Sequence, residues 1–280
     1  MKKNSKKGFT VLELAVVIAI FGLLASIVLI AVRGAKEKSK YAAVLQFSGS
    51  IKHSLGSNIV AEYKFEDNVS DSSGNGNNGI NYNVTFTPNG VSPQLGKAGS
   101  FNGANSHVNC GNGASLNITD AITIETWIKP NNVGAAYLRI IHKGDPSGAL
   151  RGYGIVQSMN SKLVGFYQKN YMTVEFGRRT SIALENSRWY HIVMTWNGTE
   201  NDSGVLMYVN GVDVSESREG PDMSFTSYAA EMNIGRRAGS SSGYFNGFID
   251  EVRIYSQALT AFQIQRLYAE GAAKRGIVAK

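Results

Sequence analysis

The strongest hydrophobic pattern in the chain is an apolar run over residues 9–32, in which Glu13 is the only charged side chain. An α-helix needs roughly 20 residues to cross the hydrocarbon core of a bilayer, and this run has 24 residues. Basic residues flank it on both sides. The pattern therefore predicts a membrane-spanning helix. A lone carboxylate inside such a helix costs on the order of 2.5 to 3.5 kcal/mol or more, so we expect Glu13 to have a cationic partner.

After residue 32 the pattern becomes amphipathic. Apolar residues recur at intervals of three or four, at Val44, Phe47, Ile51 and Leu55. This spacing is typical of a helix with one apolar face, and no proline interrupts it. We predict one continuous helix over residues 9–57, with residues 9–32 in the membrane or a filament core and residues 33–57 against a folded head. Gly56 and Asn58 are its predicted stop signals.

The rest of the chain consists of short apolar or alternating segments separated by Gly and Asn, which predicts a β-rich domain. The predicted strands are residues 59–67, 98–103, 121–130, 137–144, 188–198 and 247–256, with hairpins over 152–168 and 204–217. Residues 188–198 are apolar on both faces, as expected of an inner strand in a two-sheet sandwich. Asn210-Gly211 predicts the turn of the second hairpin. A short helix over residues 259–268, capped by Thr260, and a polar tail over residues 270–280 follow.

The fold prediction is α+β overall, with a long N-terminal helix followed by an all-β sandwich over residues 59–269. The chain has 280 residues and a net charge of +7. Four lysines precede the apolar run and the other basic residues are scattered, so we expect no nucleic-acid surface. Cys110 is the only cysteine, which excludes an intrachain disulfide.

Residues 7–13, with the sequence KGFTVLE, resemble the type III signal of type IV pilins and pseudopilins. The resemblance implies that residues 1–8 form a leader, that prepilin peptidase cleaves between Gly8 and Phe9, and that the new amino terminus of Phe9 is N-methylated. It also implies assembly into a filament in which Glu13 meets the Phe9 amine of a neighbouring subunit. The alternatives are a secretory signal peptide, whose apolar region is only about 7 to 15 residues long, and a plain signal anchor, which does not explain Glu13.

Several ordered blocks between residues 59 and 269 resemble a LamG-like, concanavalin A-like jelly roll. They include ITIETWIKP, RWYHIVMTWNG and YFNGFIDEVRIYS. The resemblance implies the fold of the head. Its ligand stays open, because this family binds glycans, proteins and metals or serves as a spacer.

Four residues are predicted ligands of a structural calcium ion: Glu66, Asp71, Asn75 and Asp250. Calcium takes six to eight oxygen ligands, including carboxylates and loop carbonyls. In related domains an acid of the Gly- and Asn-rich loop and the Asp of the late strand share such an ion. The alternative is that Asp71 caps a turn and that Asp250 pairs with an arginine.

Aromatic side chains supply the remaining binding candidates. Trp127, Trp189 and Trp196 lie in patterned strands and are predicted to belong to the core. Five tyrosines near predicted turns are candidates for an exposed glycan or protein surface: Tyr137, Tyr153, Tyr167, Tyr171 and Tyr244. Three histidines, His107, His142 and His191, are dispersed among strands and predict no metal triad.

The acidic residues do not predict an enzyme. A retaining glycosidase needs two carboxylates about 5 to 5.5 Å apart, and no strand carries acids at alternate positions. Glu125 is alone on its strand face, and Asp250 and Glu251 are expected on opposite faces.

The sequence thus predicts a pilin-like filament subunit with a binding or adhesive head. Its partners would be prepilin peptidase, other subunits and an inner-membrane assembly platform. It would be a single-pass membrane protein first and part of an extracellular or periplasmic filament later. The rivals are a minor pseudopilin of a type II secretion or competence system and a membrane-tethered carbohydrate-active enzyme.

Overall fold

A computed structural model describes residues 11–12, 14–26, 28–29, 32, 55–88, 96–134, 137–144, 152–158, 160–170, 174–199, 201–217, 231–237 and 242–277, without the side chains of 167–170 and 174–176. The chain divides into two compact units, Met1–Gly49 and Ser50–Lys280. We call the second unit the head.

In the first unit, the described residues between 11 and 32 are helical. Their apolar side chains are exposed, with Val11 at 86% and Phe21 at 68%. Within the described residues, no helix is both long enough and apolar enough to cross a membrane. Gly8, Phe9, Glu13 and residues 33–54 of the predicted helix lie outside the described residues.

The described part of the head contains sixteen strands. They are β1 Ile59–Tyr63, β2 Ile80–Tyr82, β3 Thr85–Pro88, β4 Lys97–Asn102, β5 His107–Asn109, β6 Ile122–Pro130, β7 Leu138–Lys143, β8 Gly152–Gln157, β9 Leu163–Asn170, β10 Val174–Thr180, β11 Tyr190–Trp196, β12 Val205–Val209, β13 Val212–Asp213, β14 Ser215–Ser217, β15 Met232–Ile234 and β16 Asn246–Tyr255. One α-helix, Ala261–Lys274, follows β16. Short 3₁₀ turns lie at Gly56–Asn58, Ala114–Leu116 and Asp202–Gly204.

The strands form two antiparallel eight-stranded sheets. Sheet A has the order β13-β12-β11-β6-β16-β4-β3, with β1 also paired to β16, and sheet B has the order β14-β10-β9-β8-β7-β15-β5-β2. Many chain neighbours lie in different sheets, as expected of a jelly roll. The predicted all-β sandwich is confirmed.

The central strand β11 shows how the core forms. It pairs with β6 on one side and β12 on the other. Alternate residues, including Ile192 and Met194, pack in the main core between the sheets, whereas Val193 packs with Ile264 and Leu267 of the helix. Both faces of β11 are therefore buried, as predicted for an inner strand.

Two local predictions are confirmed and one boundary moves. Asn210 and Gly211 have φ angles of 52° and 77°, as a two-residue hairpin turn requires. Thr260 caps the final helix through a capping box with Gln263. This helix, however, continues to Lys274, and Arg275 is buried. The predicted tail over residues 270–280 was placed too early. In the sequence a glycine such as Gly271 indicates a helix end, but in the structure Gly271 is buried within the helix.

A bulge in β16 overturns the predicted orientation of two acids. The pairing of β16 with β6 shifts register between Asp250 and Arg253, and Glu251 has a φ of 47°. Because the bulge adds a residue to the alternation, Asp250 and Glu251 both contact cations of the final helix and its end, Arg275 and Lys274. The prediction of opposite faces was wrong.

Candidate functional site

Asp71 closes the Gly- and Asn-rich loop onto β1. Its Oδ1 accepts hydrogen bonds from the backbone N–H groups of Glu62 at 3.0 Å and Ser73 at 2.9 Å, and its Oδ2 accepts one from Asn77 at 2.9 Å. Burial alone would raise the pKa of Asp71, but these N–H donors lower it. The carboxylate therefore already accepts hydrogen bonds from three backbone N–H groups.

The other three predicted calcium ligands have different hydrogen-bond or ion-pair partners. Asn75 donates to the backbone oxygens of Ile59 and Val60, Glu66 accepts from the N–H of Lys97, and Asp250 pairs with Arg275. No group of three or more His, Cys, Asp or Glu among the described residues is able to hold a metal ion. The four residues do not form a single donor set, and calcium at these positions stays a prediction.

The outer side of sheet A is covered by the final helix and contains a buried network of charges. Glu125 is 1% exposed. Its Oε1 lies 3.2 Å from Arg253 Nη1 and 3.1 Å from His191 Nε2, and its Oε2 accepts a 2.6 Å hydrogen bond from the hydroxyl of Tyr255. Burial would raise the pKa of Glu125, but Arg253 and these hydrogen bonds lower it to about 2. Glu125 is consequently an ionised structural group at neutral pH.

Further ion pairs complete this surface, which we call the closed face. Arg253 also contacts Glu62, at 2.8 Å, and Glu251. Lys274 contacts Glu251 at 3.2 Å and Glu270 at 3.5 Å. Because these side chains are paired with one another, they do not resemble the separated acid and nucleophile of a glycosidase.

Arg275 fixes the end of the helix on the closed face. Its guanidinium pairs with Asp250 and lies 4.3 Å from the ring centroid of Trp127 and 5.3 Å from that of Trp189. A cavity of about 440 Å³ adjoins the closed face and is lined by Leu55, Ile59, Glu62, Lys64, Glu66, Glu251, Arg253, Tyr255, Leu267 and Lys274. The charged groups of the closed face beside this cavity thus have partners inside the head.

A cluster of aromatic side chains lies where β2, β5 and β15 meet at one end of sheet B. The ring of Tyr82 stacks on His107 with centroids 4.4 Å apart and planes inclined by 4°. On the other side, His107 lies 6.0 Å from the ring of Tyr244. Tyr82 is 42% exposed, on a strand that pairs only with β5 among the described strands. The three rings form an aromatic step open to solvent at Tyr82.

Polar side chains adjoin this step. Asn233 Oδ1 accepts a 3.1 Å hydrogen bond from Arg236 Nη2. Burial, with a smaller contribution from the charge of Arg236, lowers the pKa of His107. Arg139 donates its backbone N–H to the carbonyl of Gly243, beside Tyr244. We call the set Tyr82, His107, Arg139, Asn233, Arg236 and Tyr244 the open rim.

The open rim has polar atoms without partners. Nδ2 of Asn233 and the Nε atoms of Arg139 and Arg236 are buried and have no hydrogen-bond partner among the described residues. Burial and the charge of Arg237 lower the pKa of Arg139 to about 10, and no carboxylate in the described part of the chain pairs with it. The exposed ring of Tyr82 is suited to a ligand with a flat apolar face.

The predicted aromatic candidates are divided between core and surface. Tyr244 lies in the open rim, whereas Tyr153 is buried in the core and donates to the carbonyl of Leu116; its proposed exposure was wrong, because it lies on the inner face of β8. Tyr137 is half-buried. The side chain of Tyr167 and all of Tyr171 lie outside the described residues.

The tryptophan prediction is largely confirmed. Trp127 and Trp196 are buried, and Trp189 is half-buried against the ring of Phe248. Sequence reasoning missed Tyr82 and Arg236, which lie on or just after strands of only three residues, β2 and β15. It missed Arg139 because that residue lies within the predicted strand β7, whose pattern contained no signal for a site. The adjacent arginines in NIGRR were the available signal.

Two family models match the chain. A model for the prokaryotic N-terminal methylation motif matches residues 3–29. A model described as the concanavalin A-like lectin/glucanases superfamily matches residues 102–265. No curated protein matches the chain.

Solved structures show the same fold. Domain 4 of AbnA, a GH43 extracellular arabinanase from Geobacillus stearothermophilus solved in complex with arabinotriose, has a TM-score of 0.57 and 22% identity, over 75% of this chain and 98% of that one. The binding domain of Paraclostridial Mosquitocidal Protein 1 has a TM-score of 0.57 and 21% identity, over 76% and 52%. The botulinum neurotoxin serotype C1 binding domain has a TM-score of 0.56 and 16% identity, over 78% and 53%.

The match to the toxin binding domains spans about half of their length, so these similarities show the fold of the head alone. The superfamily model, in contrast, covers more than half of this chain, from β4 through the first turn of the final helix. The chain therefore belongs to the concanavalin A-like lectin/glucanase superfamily.

Proposed function

We propose that the protein is a pilin-like filament subunit whose head binds glycans. The observation that carries the assembly part is the match to the N-terminal methylation motif together with an apolar helix whose side chains are exposed in the isolated chain. A helix that is exposed and apolar needs a bilayer or neighbouring helices around it. A membrane before assembly and a filament afterwards supply these two environments in turn.

Glu13 gives this assembly a defined chemistry. Cleavage between Gly8 and Phe9 creates a new amine, and N-methylation leaves it cationic. In the filament that amine would pair with Glu13 of a neighbouring subunit, which removes the cost of a lone buried carboxylate. The pairing explains why a charged residue is placed inside the apolar run.

The experiment on assembly compares Glu13→Ala with Ser26→Ala in cells that make the protein. Ser26 already donates to the carbonyl of Gly22 within its own helix, so its loss is expected to leave filaments normal. Glu13→Ala is expected to insert in the membrane and to be lost from filaments. Intact mass should give a chain that begins at methylated Phe9. Normal filaments from Glu13→Ala, or an unprocessed chain, would contradict the proposal.

The glycan-binding part rests on the open rim. Sugar rings stack on exposed aromatic side chains through their apolar C–H faces. Tyr82 offers such a ring in the same rim as the half-buried guanidinium of Arg236, which is able to donate to hydroxyl groups. The similar arabinanase domain was solved with an arabinotriose, which shows that this fold is compatible with oligosaccharide binding. A binding head also agrees with the paired state of the carboxylates on the closed face.

The experiment on the head is a glycan array probed with the full chain in detergent micelles. Tyr82→Ala is expected to abolish the signal, because it removes the exposed ring. The matched control is Phe262→Ala, which removes an exposed ring, 53% accessible, from the final helix. Turnover of a polysaccharide, or a signal that Phe262→Ala abolishes and Tyr82→Ala does not, would contradict the proposal.

The abundance of the subunit decides between two filament types. A major pilus subunit would form long extracellular filaments, whereas a minor pseudopilin would prime or cap a short periplasmic fibre. Electron microscopy with antibody labelling of the head distinguishes them.

A further inference from the structure

The open rim contains more positive charge than the described residues around it balance. Arg139 is 6% exposed, and its Nη1 donates to the backbone carbonyl of Tyr137. Arg236 donates to an amide, Asn233 Oδ1. Neither arginine pairs with a carboxylate in the described part of the chain. Buried arginines elsewhere in the head do have such partners, as Arg253 has with Glu62 and Arg275 with Asp250.

The acid that the described residues do provide on this face is already engaged. Glu231 lies two residues before Asn233 on β15, and its Oε2 accepts a 2.9 Å hydrogen bond from Asn109 Nδ2. Asn109 pairs with Asn233 across the two strands. Glu231 is thus held by an amide, and within the described residues it forms no ion pair with Arg139 or Arg236.

The unsatisfied donors are expensive for the fold. Burying a donor without an acceptor destabilises the folded state, and a charged donor does so more strongly. The rim carries three such donors, on Asn233, Arg139 and Arg236. Buried polar atoms of this kind also occur on the closed face, at Arg275 Nε and His191 Nδ1. Of the two arginines of the rim, Arg236 is the half-buried one, and its guanidinium, which has donors only, fits an anionic acceptor better than a neutral hydroxyl.

We propose that the open rim binds an acidic glycan, namely a sugar that carries a carboxylate. The sugar ring packs on Tyr82, and its carboxylate pairs with the guanidinium of Arg236, which is half-buried. A planar carboxylate matches the fork of a guanidinium. This inference rests on the glycan-binding function proposed above and adds the class of sugar.

The test compares matched acidic and neutral sugars by isothermal titration calorimetry, using the full chain in detergent micelles. The pairs are trigalacturonate with its methyl ester, and 3′-sialyllactose with lactose. In at least one pair, the acidic member is expected to bind about tenfold or more tightly than the neutral one, as loss of a charged hydrogen bond implies. Arg236→Gln should lower the affinity for the acid to that for the neutral sugar and leave the neutral sugar unaffected.

A control variant separates this effect from a general loss of positive charge. Arg188→Gln removes an arginine that forms a surface pair with Glu185 at 3.5 Å, and it should leave both affinities unchanged. Arg139 is buried, so Arg236→Gln is the variant that tests the site without disturbing the core. Near-ultraviolet circular dichroism should confirm that the variant is folded.

The remaining outcomes are distinct. If acidic and neutral sugars bind equally and Tyr82→Ala abolishes both, the acidic preference is overturned while glycan binding stands. If a sulfated sugar binds and neither carboxylate does, the proposed acceptor is wrong. If the head binds no sugar on the array, this inference and the glycan-binding function are both overturned.

Discussion

The closed face and the open rim differ in the partners of their arginines. On the closed face, Arg253 contacts three carboxylates, those of Glu62, Glu125 and Glu251. On the open rim, Arg139 and Arg236 contact a backbone carbonyl and an amide. Both surfaces belong to the same sandwich, and both contain arginines next to aromatic rings.

The difference follows from what covers each surface. The final helix covers the closed face, and an unpaired charge beneath it would cost several kcal/mol, so the network balances itself. The open rim has an exposed ring at Tyr82, and a ligand that arrives from solvent is able to supply the missing anion. Pairing of the internal charges therefore agrees with a structural role for the closed face, and the lack of a carboxylate partner among the described residues agrees with the binding role proposed for the open rim.

Acidification should give the largest loss of stability. The pH range of the loss should distinguish a contribution from sheet B from one from sheet A. Burial and the charges of Arg139 and Arg237 lower the pKa of His142, on sheet B, to about 3. In the unfolded chain this histidine titrates near 6.5, so below pH 6.5 the unfolded state binds a proton that the folded state does not. The free energy of unfolding should then fall until the pH reaches about 3, by roughly 4 to 5 kcal/mol in total.

Glu125, on sheet A, acts in a lower pH window. Its pKa is about 2 in the folded state and 4.5 in the unfolded chain, so its stabilisation is present above pH 4.5 and is lost as the pH falls toward 2. Tryptophan fluorescence reports on the head, because all three tryptophans lie in it. Thermal unfolding between pH 7.5 and pH 3 should show that His142→Phe reduces the slope from pH 6.5 downward and leaves, below pH 4.5, the part of the slope that comes from Glu125. An unchanged slope in that variant would refute the assignment.

Breaking the closed face at one carboxylate should give the next largest effect. Glu125→Ala leaves Arg253 and the hydroxyl of Tyr255 without a central buried acceptor. We expect the free energy of unfolding to fall by about 3 to 5 kcal/mol. The matched control is Glu185→Ala, whose partner Arg188 is exposed, and it should have little effect. A loss below about 1 kcal/mol for Glu125→Ala would show that the network contributes no more than a surface pair.

The sequence was sufficient for the parts of the fold that depend on local pattern. Two apolar faces identified β11 as an inner strand, Asn210-Gly211 identified a hairpin, and Thr260 identified a helix start. Each of these signals is contained in a few consecutive residues. The predicted sandwich followed from them and from the family resemblance.

The sequence was insufficient where the outcome depends on pairing between distant strands. Tyr82 and His107 stack because β2 pairs with β5, and neither short strand has a pattern of its own. The bulge that places Asp250 and Glu251 together is set by the pairing of β16 with β6. The open rim was therefore not predictable as a site, although Tyr244 was named as a surface candidate.

Gly271 tests how closely the helix must approach the closed face. A Cβ at this position would lie 2.6 Å from Trp127, which is shorter than any normal contact. Gly271→Ala gains about 1 kcal/mol in helix propensity, but overpacking against a buried ring costs typically 1 to 3 kcal/mol. We expect a net loss of up to about 2 kcal/mol in thermal unfolding. Ala269→Gly measures the propensity alone, and a Gly271→Ala protein more stable than wild type would show that the helix has room to move.

The smallest effect on stability is expected at the open rim. Tyr82→Ala removes a whole ring, but the ring is exposed on an edge strand, so the free energy of unfolding should change by less than about 1 kcal/mol. Tyr255→Phe removes a single hydroxyl from the closed face, yet that hydroxyl donates to Glu125 at 2.6 Å, and its loss should cost roughly 1.5 to 3 kcal/mol. Denaturant titrations of the two variants measure both values. If Tyr82→Ala were the more damaging of the two, the rim would be a structural surface, because a binding surface contributes its interactions only when its ligand is present.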